Sequence, residues 1–258
     1  MHPARSTVRG ARASVLALAV LAVGIGACAA DPATPAAATS TSAVAPAPAG
    51  TTTQAPQPTR QLDHSLDDDL LDAAEADDAD RVRDLIARGA DLEARDDDGR
   101  TPLVEATKNR ASAAALALID AGADVNAKDD LQDSAYLYAG AEGIDDILAA
   151  TLSHGADLRS VNRYGGTALI PASEHGHVST VRMLIAAGVD VDHVNTPRWT
   201  ALQEAIVYGD GSQRYQETVT ALLDAGADPR IRDADGRTAL ENAERLGQDA
   251  IVALLRGR

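Results

Sequence analysis

Apolar residues recur along this chain at a long, nearly fixed interval. Apolar pairs stand at Leu85-Ile86, Leu118-Ile119, Leu184-Ile185 and Leu222-Leu223, and each is followed closely by a glycine of a Gly-Ala-Asp segment or its near copy. Those glycines are Gly89, Gly122, Gly155, Gly188 and Gly226, spaced by 33, 33, 33 and 38 residues. A glycine just past an apolar helical run supplies the left-handed backbone that ends a helix, so the pairs are predicted to face a core from the end of one helix per repeat. A second marker opens the other helix. It reads Thr101-Pro102-Leu103, Ser134-Ala135-Tyr136, Thr167-Ala168-Leu169, Thr200-Ala201-Leu202 and Thr238-Ala239-Leu240. Thr or Ser caps the free donors of a first turn, and Pro102 sits where its missing N–H costs nothing.

Each unit therefore reads as two short antiparallel helices followed by a projecting turn. None has enough buried area to stand alone, and stacking closes the core. On these residues the chain resembles the ankyrin-repeat family over residues 62–258. The resemblance implies an all-α solenoid of helix-turn-helix units with projecting β-turn fingers. The units are 66–98, 99–131, 132–164, 165–197, 198–235 with a five-residue insertion after Gly209, and 236–258. The first unit keeps Leu70, Leu71, Val82, Leu85 and Ile86 but lacks the Thr-Pro-Leu marker, and it carries seven aspartates among residues 67–80, as a polar cap should. The last keeps Leu240, Ile251, Val252, Leu254 and Leu255 and closes the stack. Three departures stand out. The finger glycine of Gly99, Gly165 and Gly236 is replaced by Gln132 and Arg198, which puts those turns in question. Pro171 falls in a first helical turn and is expected to remove an early hydrogen bond. Thr151 replaces an apolar core residue.

Upstream, the pattern changes. Residues 1–27 carry Arg5, Arg9 and Arg12, no acid, and the apolar run Val15 to Ile25, the layout of a secretory signal. That run falls short of the about 20 apolar residues a bilayer crossing needs. Ile25-Gly26-Ala27-Cys28 resembles the lipobox of bacterial lipoproteins, which implies acylation of Cys28, the sole cysteine; the competing reading is a small-x-small cleavage site at Ala27-Cys28-Ala29. Residues 28–61 then read as a tether, since 26 of the 32 residues from 29 to 60 are Ala, Pro, Thr or Ser. Such a segment buries too little to offset its ordering entropy, so disorder is expected. The expected location is extracytoplasmic, lipid-anchored to a membrane; a soluble periplasmic or secreted form is the alternative.

The formal net charge of −16 falls to −19 once the three signal arginines are removed, because 20 bases then face 39 acids. Nucleic acid is therefore not an expected ligand, and acidity of this size either steers a basic protein partner or is simply a solvated surface. A lone cysteine leaves no internal disulfide framework.

The resemblance further implies binding through fingertips and inner helices by a single copy of the chain. Carried over unit by unit, those positions are Arg95, Asp97, Arg100, Lys108 and Asn109; Asp130, Asp133 and Glu142; Arg163, Tyr164, Glu174 and His175; and Trp199, Val207 and Tyr208. Of the six aromatic residues, Tyr164, Trp199, Tyr208 and Tyr215 fall at finger, inner-helix or insertion positions of adjacent units, and they form the leading candidate contact surface. Tyr136 and Tyr138 are expected to pack inside. The insertion, within Asp210 to Tyr215, is read as a loop between helices and a second candidate contact.

Catalytic chemistry finds no foothold. There is no Gly-x-Ser-x-Gly elbow or phosphate loop, and the acids are scattered over predicted turns. Asp96, Asp98, Gly99 and Glu105 match part of a calcium loop, but its first ligand position is Ala94. His175 and His177 lack the spacing of a helical metal pair. No cofactor or metal is expected, and the predicted role is a non-enzymatic scaffold for a protein partner. The runner-up is a soluble inhibitor, immunity factor or stabiliser of an enzyme.

Overall fold

A computed structural model describes residues 64–258, with side chains from Leu66 onward; the segments read from sequence as a secretory signal and a tether, with Cys28, lie outside the described residues. The described part is all helical, twelve helices in six pairs: α1 His64–Glu75, α2 Ala79–Ala87, α3 Pro102–Lys108, α4 Ser112–Asp120, α5 Ala135–Glu142, α6 Asp145–Ser153, α7 Leu169–Glu174, α8 Val178–Ala187, α9 Ala201–Val207, α10 Gln213–Asp224, α11 Ala239–Arg245 and α12 Asp249–Arg256. Odd-numbered helices stack on one another in one row and even-numbered helices in a second, each pair packing face to face. Among the described residues no strand occurs, and no helix is long and apolar enough to cross a membrane.

The Thr and Ser markers act as the hydroxyl chemistry requires. Thr101, Ser134, Thr200 and Thr238 accept the backbone N–H three residues on, and Thr238 completes a capping box with Glu241. Thr167 is the exception. Pro171 has no N–H to give the Thr167 carbonyl, which takes the Ile170 N–H at 3.1 Å instead. That tightened turn puts Ala168 in the helical region at the cap position and leaves the buried Thr167 hydroxyl without a partner.

Even-numbered helices end as expected. Gly188, at φ 94°, lets its own N–H reach the Ile185 carbonyl and that of Val189 reach Leu184, and the same bond pair follows the apolar pairs at Gly89, Gly122 and Gly226. The core alternates large apolar residues with alanine, for example Leu103, Leu118, Ile119, Ile147, Leu148, Leu169, Leu184, Leu202 and Ile206, all under 2 % exposed. Thr151 sits in that core without an orphan hydroxyl, because it donates to the Leu148 carbonyl at 2.8 Å. Tyr136 is fully buried, but Tyr138 is only half-buried and reaches the inner face, which corrects its assignment to the interior.

The insertion departs from its sequence reading. Asp210, Gly211 and Ser212 stay outside the helices, but Gln213, Arg214 and Tyr215 form the first turn of a 12-residue α10 rather than a free loop. Tyr215 is 4 % exposed, its ring lies against Gly176 and Gly209, and its hydroxyl donates to the Glu174 carbonyl at 3.0 Å. Tyr215 is therefore a packing residue that braces α10 against α7 and is withdrawn from the contact surface. Gly209 is required there, since a Cβ would stand 2.1 Å from the Ala205 carbonyl oxygen and 2.8 Å from the Tyr215 ring.

Candidate functional site

Each finger is built around one Asp or Asn: Asp96, Asp129, Asn162, Asn195 and Asp233. The Oδ1 of Asp96 accepts the N–H groups of Asp98 and Arg100 at 2.9 and 2.8 Å, and Asp129, Asn162 and Asp233 repeat the arrangement. In the fifth unit Pro197 has no N–H, so Asn195 Oδ1 accepts only from Trp199, at 2.8 Å. These side chains mimic a backbone turn and fix the finger geometry. That geometry also demands a left-handed residue, and Gln132 and Arg198 adopt it at φ 64° and 70° against 71°, 71° and 77° for Gly99, Gly165 and Gly236. The turns are thus preserved without glycine, at a strain of about 1 kcal/mol each. Fingers also bond to their neighbours: the Thr196 N–H reaches the Tyr164 carbonyl at 2.9 Å, and Arg95 reaches the Lys128 carbonyl at 2.8 Å.

The second polar atom of the finger residue points to the inner helix. Asp129 Oδ2 pairs with Lys108 Nζ at 2.5 Å, an ion contact rather than an aligned hydrogen bond, and Asp133 takes the same ammonium at 3.1 Å. Burial pulls this ammonium down, but the two carboxylates outweigh it and hold Lys108 above its ordinary value. Asp233 Oδ2 accepts from Asn242 at 2.8 Å. Asn195 Nδ2 donates to Glu204 Oε1 at 2.8 Å.

Between the fingers and inner helices of the third to fifth units lies a groove of about 510 Å³. It gathers seven of the residues assigned from sequence: Asp133, Glu142, Arg163, Tyr164, Glu174, His175 and Tyr208. Tyr164 and Tyr208 are 54 % and 57 % exposed, unusual for large rings and typical of contact residues. The Arg163 guanidinium lies 4.8 Å from the Tyr164 ring centre, and Trp199 tilts against Tyr208 with centroids 5.1 Å apart. The His175 Nδ1–H donates to the Ala141 carbonyl at 2.9 Å, which pins its ring at the rim.

The remaining assigned positions lie outside the groove lining. Asn109 is exposed and donates to Glu105; Val207 is half-buried beside Tyr208. Arg100 is tied to Asp98 and Glu105 at 2.9 and 3.1 Å, and Lys108 is held by Asp129 and Asp133 with 12 % of its side chain exposed. Both cations serve the fold first.

Several lining residues escaped the sequence reading: Tyr138, Asn162, Pro171, Asn195, Pro197 and Glu204. Tyr138, Pro171 and Glu204 share a register, four residues after the helix-opening Ser or Thr. In the third to fifth units that position lines the groove, whereas in the second and last units it holds Glu105, paired with Arg100, and the fully buried Asn242. Glu204 is the most unusual of the lining residues. It is 7 % exposed, and burial, reinforced by the Glu174 carboxylate and partly offset by the Asn195 bond, pushes it up to about 7. Among the described residues no group of three or more His, Cys, Asp or Glu is placed to hold a metal ion.

Comparison with known proteins agrees with this architecture. A family model described as ankyrin repeats (3 copies) matches residues 136–233, and a single ankyrin repeat model matches residues 98–130. Among solved structures, an ankyrin repeat domain from Acinetobacter baumannii AYE is 54 % identical, with 73 % of this chain and 96 % of that one covered at a TM-score of 0.71. A second ankyrin repeat protein is 42 % identical, with 74 % and 97 % covered and a TM-score of 0.71. The comparison with curated proteins gave no match.

Proposed function

The chain belongs to the ankyrin-repeat family, and from that premise we propose that it is a non-catalytic scaffold holding a protein partner in the groove between its third and fifth units. The family's fold ordinarily mediates protein–protein interaction. The observation that carries the reading here is the pair of exposed rings, Tyr164 and Tyr208, facing one groove whose walls are fixed by hydrogen-bonded finger turns. A rigid wall with aromatic anchors loses little conformational freedom on binding.

We place this scaffold on the outer side of a bacterial membrane, anchored through acylated Cys28. The motif Ile25-Gly26-Ala27-Cys28 after an arginine-flanked apolar run supports this, and two acyl chains give stable anchoring where one gives only marginal binding. The sequence Ala27-Cys28-Ala29 favours a second reading, a soluble periplasmic or secreted form acting as inhibitor, immunity factor or stabiliser of an enzyme. The mass of the mature N-terminal peptide decides: acyl chains on Cys28 establish the anchor, and an unmodified new terminus removes it. Affinity capture with residues 62–258 as bait, repeated with the groove rings removed, tests the scaffold role. A partner retained equally by both baits excludes the groove.

A further inference from the structure

The groove carries a charge imbalance. Glu174 and Glu204 both line it, and among the described residues neither carboxylate has an ion-pair partner. Glu204 is more than nine-tenths buried, yet only its Oε1 is engaged, by Asn195 at 2.8 Å. Its other oxygen accepts no hydrogen bond among the described residues and belongs to a side chain that lines open groove. A desolvated carboxylate facing space without a counter-charge is costly to keep and gains strongly when a cation arrives. The one lysine or arginine of the lining is already committed: Arg163 stacks on Tyr164 and lies 3.8 Å from Asp133.

Resting on the scaffold reading above, we propose that this end of the groove is a socket for one arginine side chain of the protein partner, with Glu204 and Glu174 taking the guanidinium and Tyr208 flanking it. Three features select a guanidinium over an ammonium. A planar fork can meet two carboxylates at once, where an ammonium is a point charge. Aromatic rings in this protein already accept guanidinium faces, with Arg163 over Tyr164 and Arg214 over Tyr215 each at 4.8 Å. A weakly hydrated cation is also the easier one to desolvate against a buried acid. Asn195 acts as a positioning residue, since its Oδ1 is occupied by the Trp199 N–H and its amide nitrogen is the atom that holds Glu204 Oε1.

The socket can be tested on the full chain with a probe peptide, N-acetyl-Gly-Gly-Arg-Gly-Gly-amide, and its neutral citrulline twin. Backbone amide shifts and the emission of Trp199, the single tryptophan, report binding. The arginine peptide should shift the amides of Asn195, Glu204 and Tyr208 and bind at least about tenfold more tightly than the citrulline peptide, a difference of about 1.4 kcal/mol. Glu204→Gln keeps an acceptor for Asn195 and should abolish that preference; Glu174→Gln, at a more exposed site, should reduce it even if the first variant folds poorly. Equal binding of the two peptides, shifts elsewhere, no binding, or an unchanged preference in both variants overturns the socket. Equal binding at these same amides would leave the scaffold reading standing, whereas that reading fails separately if partner capture ignores removal of the rings.

Discussion

Asn195 and Glu204, nine residues apart, join a fingertip to its inner helix through one hydrogen bond of 2.8 Å. The last finger makes the same link with its polarity reversed, the Asp233 carboxylate accepting from Asn242 at 2.8 Å. An acid in the finger meets a donor on the helix, and an amide in the finger meets an acid. Each pair closes a turn onto the stack, and only the fifth unit places its acid toward the groove with a free oxygen.

Glu204 makes stability depend on pH in an unusual direction. Its carboxyl rises from an ordinary 4.5 to about 7 in the folded chain, so between those values the folded state binds more protons than the unfolded state. The stabilisation is complete below pH 4.5, is lost as pH rises toward 7 and changes no further above it. Glu204→Gln, which cannot titrate, should flatten that fall, by roughly 3 kcal/mol at most across the window. Urea unfolding of both proteins at pH 4.5 and 7.5 gives the comparison. Parallel pH dependences would mean that Glu204 titrates near its ordinary value.

Gln132 and Arg198 hold left-handed backbone that glycine holds in the other three fingers. Each of Gln132→Gly and Arg198→Gly should therefore raise the unfolding free energy by up to about 1 kcal/mol, less the entropy that glycine adds to the unfolded chain. Gly236→Ala supplies the converse, because nothing lies within 4 Å of its Cβ position and only the backbone at φ 77° opposes it. It should destabilise. A stability gain there would show that finger strain does not govern these turns.

The helix caps give a matched pair. Thr200 Oγ1 accepts the Gln203 N–H at 3.3 Å, whereas the buried Thr167 hydroxyl has no partner. Thr200→Val should cost about 1 kcal/mol, and Thr167→Val should be neutral or stabilising, since it removes an unsatisfied polar atom without losing a bond. Midpoints of chemical denaturation check both. Equal losses would place a cap bond at Thr167 after all.

The repeat, its helix pairs and its caps were legible because each is set by local chemistry: a hydroxyl at the first turn, an apolar pair, and a glycine at the end. Groove residues at the seventh and eighth positions after the helix-opening Thr or Ser, such as Glu174, His175 and Tyr208, could be read from that same periodicity. Glu204 could not, because an acid in a first helical turn looks like a partner for the helix dipole, and its burial comes from the neighbouring unit. Tyr215 was misread for the opposite reason. A residue in an inserted segment suggests exposure, but three residues of the insertion continued α10 and turned the ring onto Gly209 and Gly176. The interchange of Pro171 and Thr167 was visible only in half: the missing donor could be read, and the stranded hydroxyl could not.

Tyr215 and Tyr208 separate packing from contact. Trp199 and Tyr208 tilt against each other at the end of the groove, 5.1 Å between centroids, and Tyr208 keeps 57 % of its surface exposed. Trp199→Ala together with Tyr208→Ala removes one exposed ring and one partly buried ring, so unfolding should shift by about 1–3 kcal/mol while retention of the partner falls by at least tenfold. Tyr215→Ala removes a buried ring and the bond to Glu174, so it should cost about 3–5 kcal/mol. Its loss of binding should track the unfolded fraction alone. Thermal melts and partner retention measured on the same samples distinguish the two. If the double variant binds as well as the parent, the aromatic end of the groove is not the contact; if Tyr215→Ala stays fully stable yet loses the partner, the ring belongs to the binding surface and α10 is braced by something else.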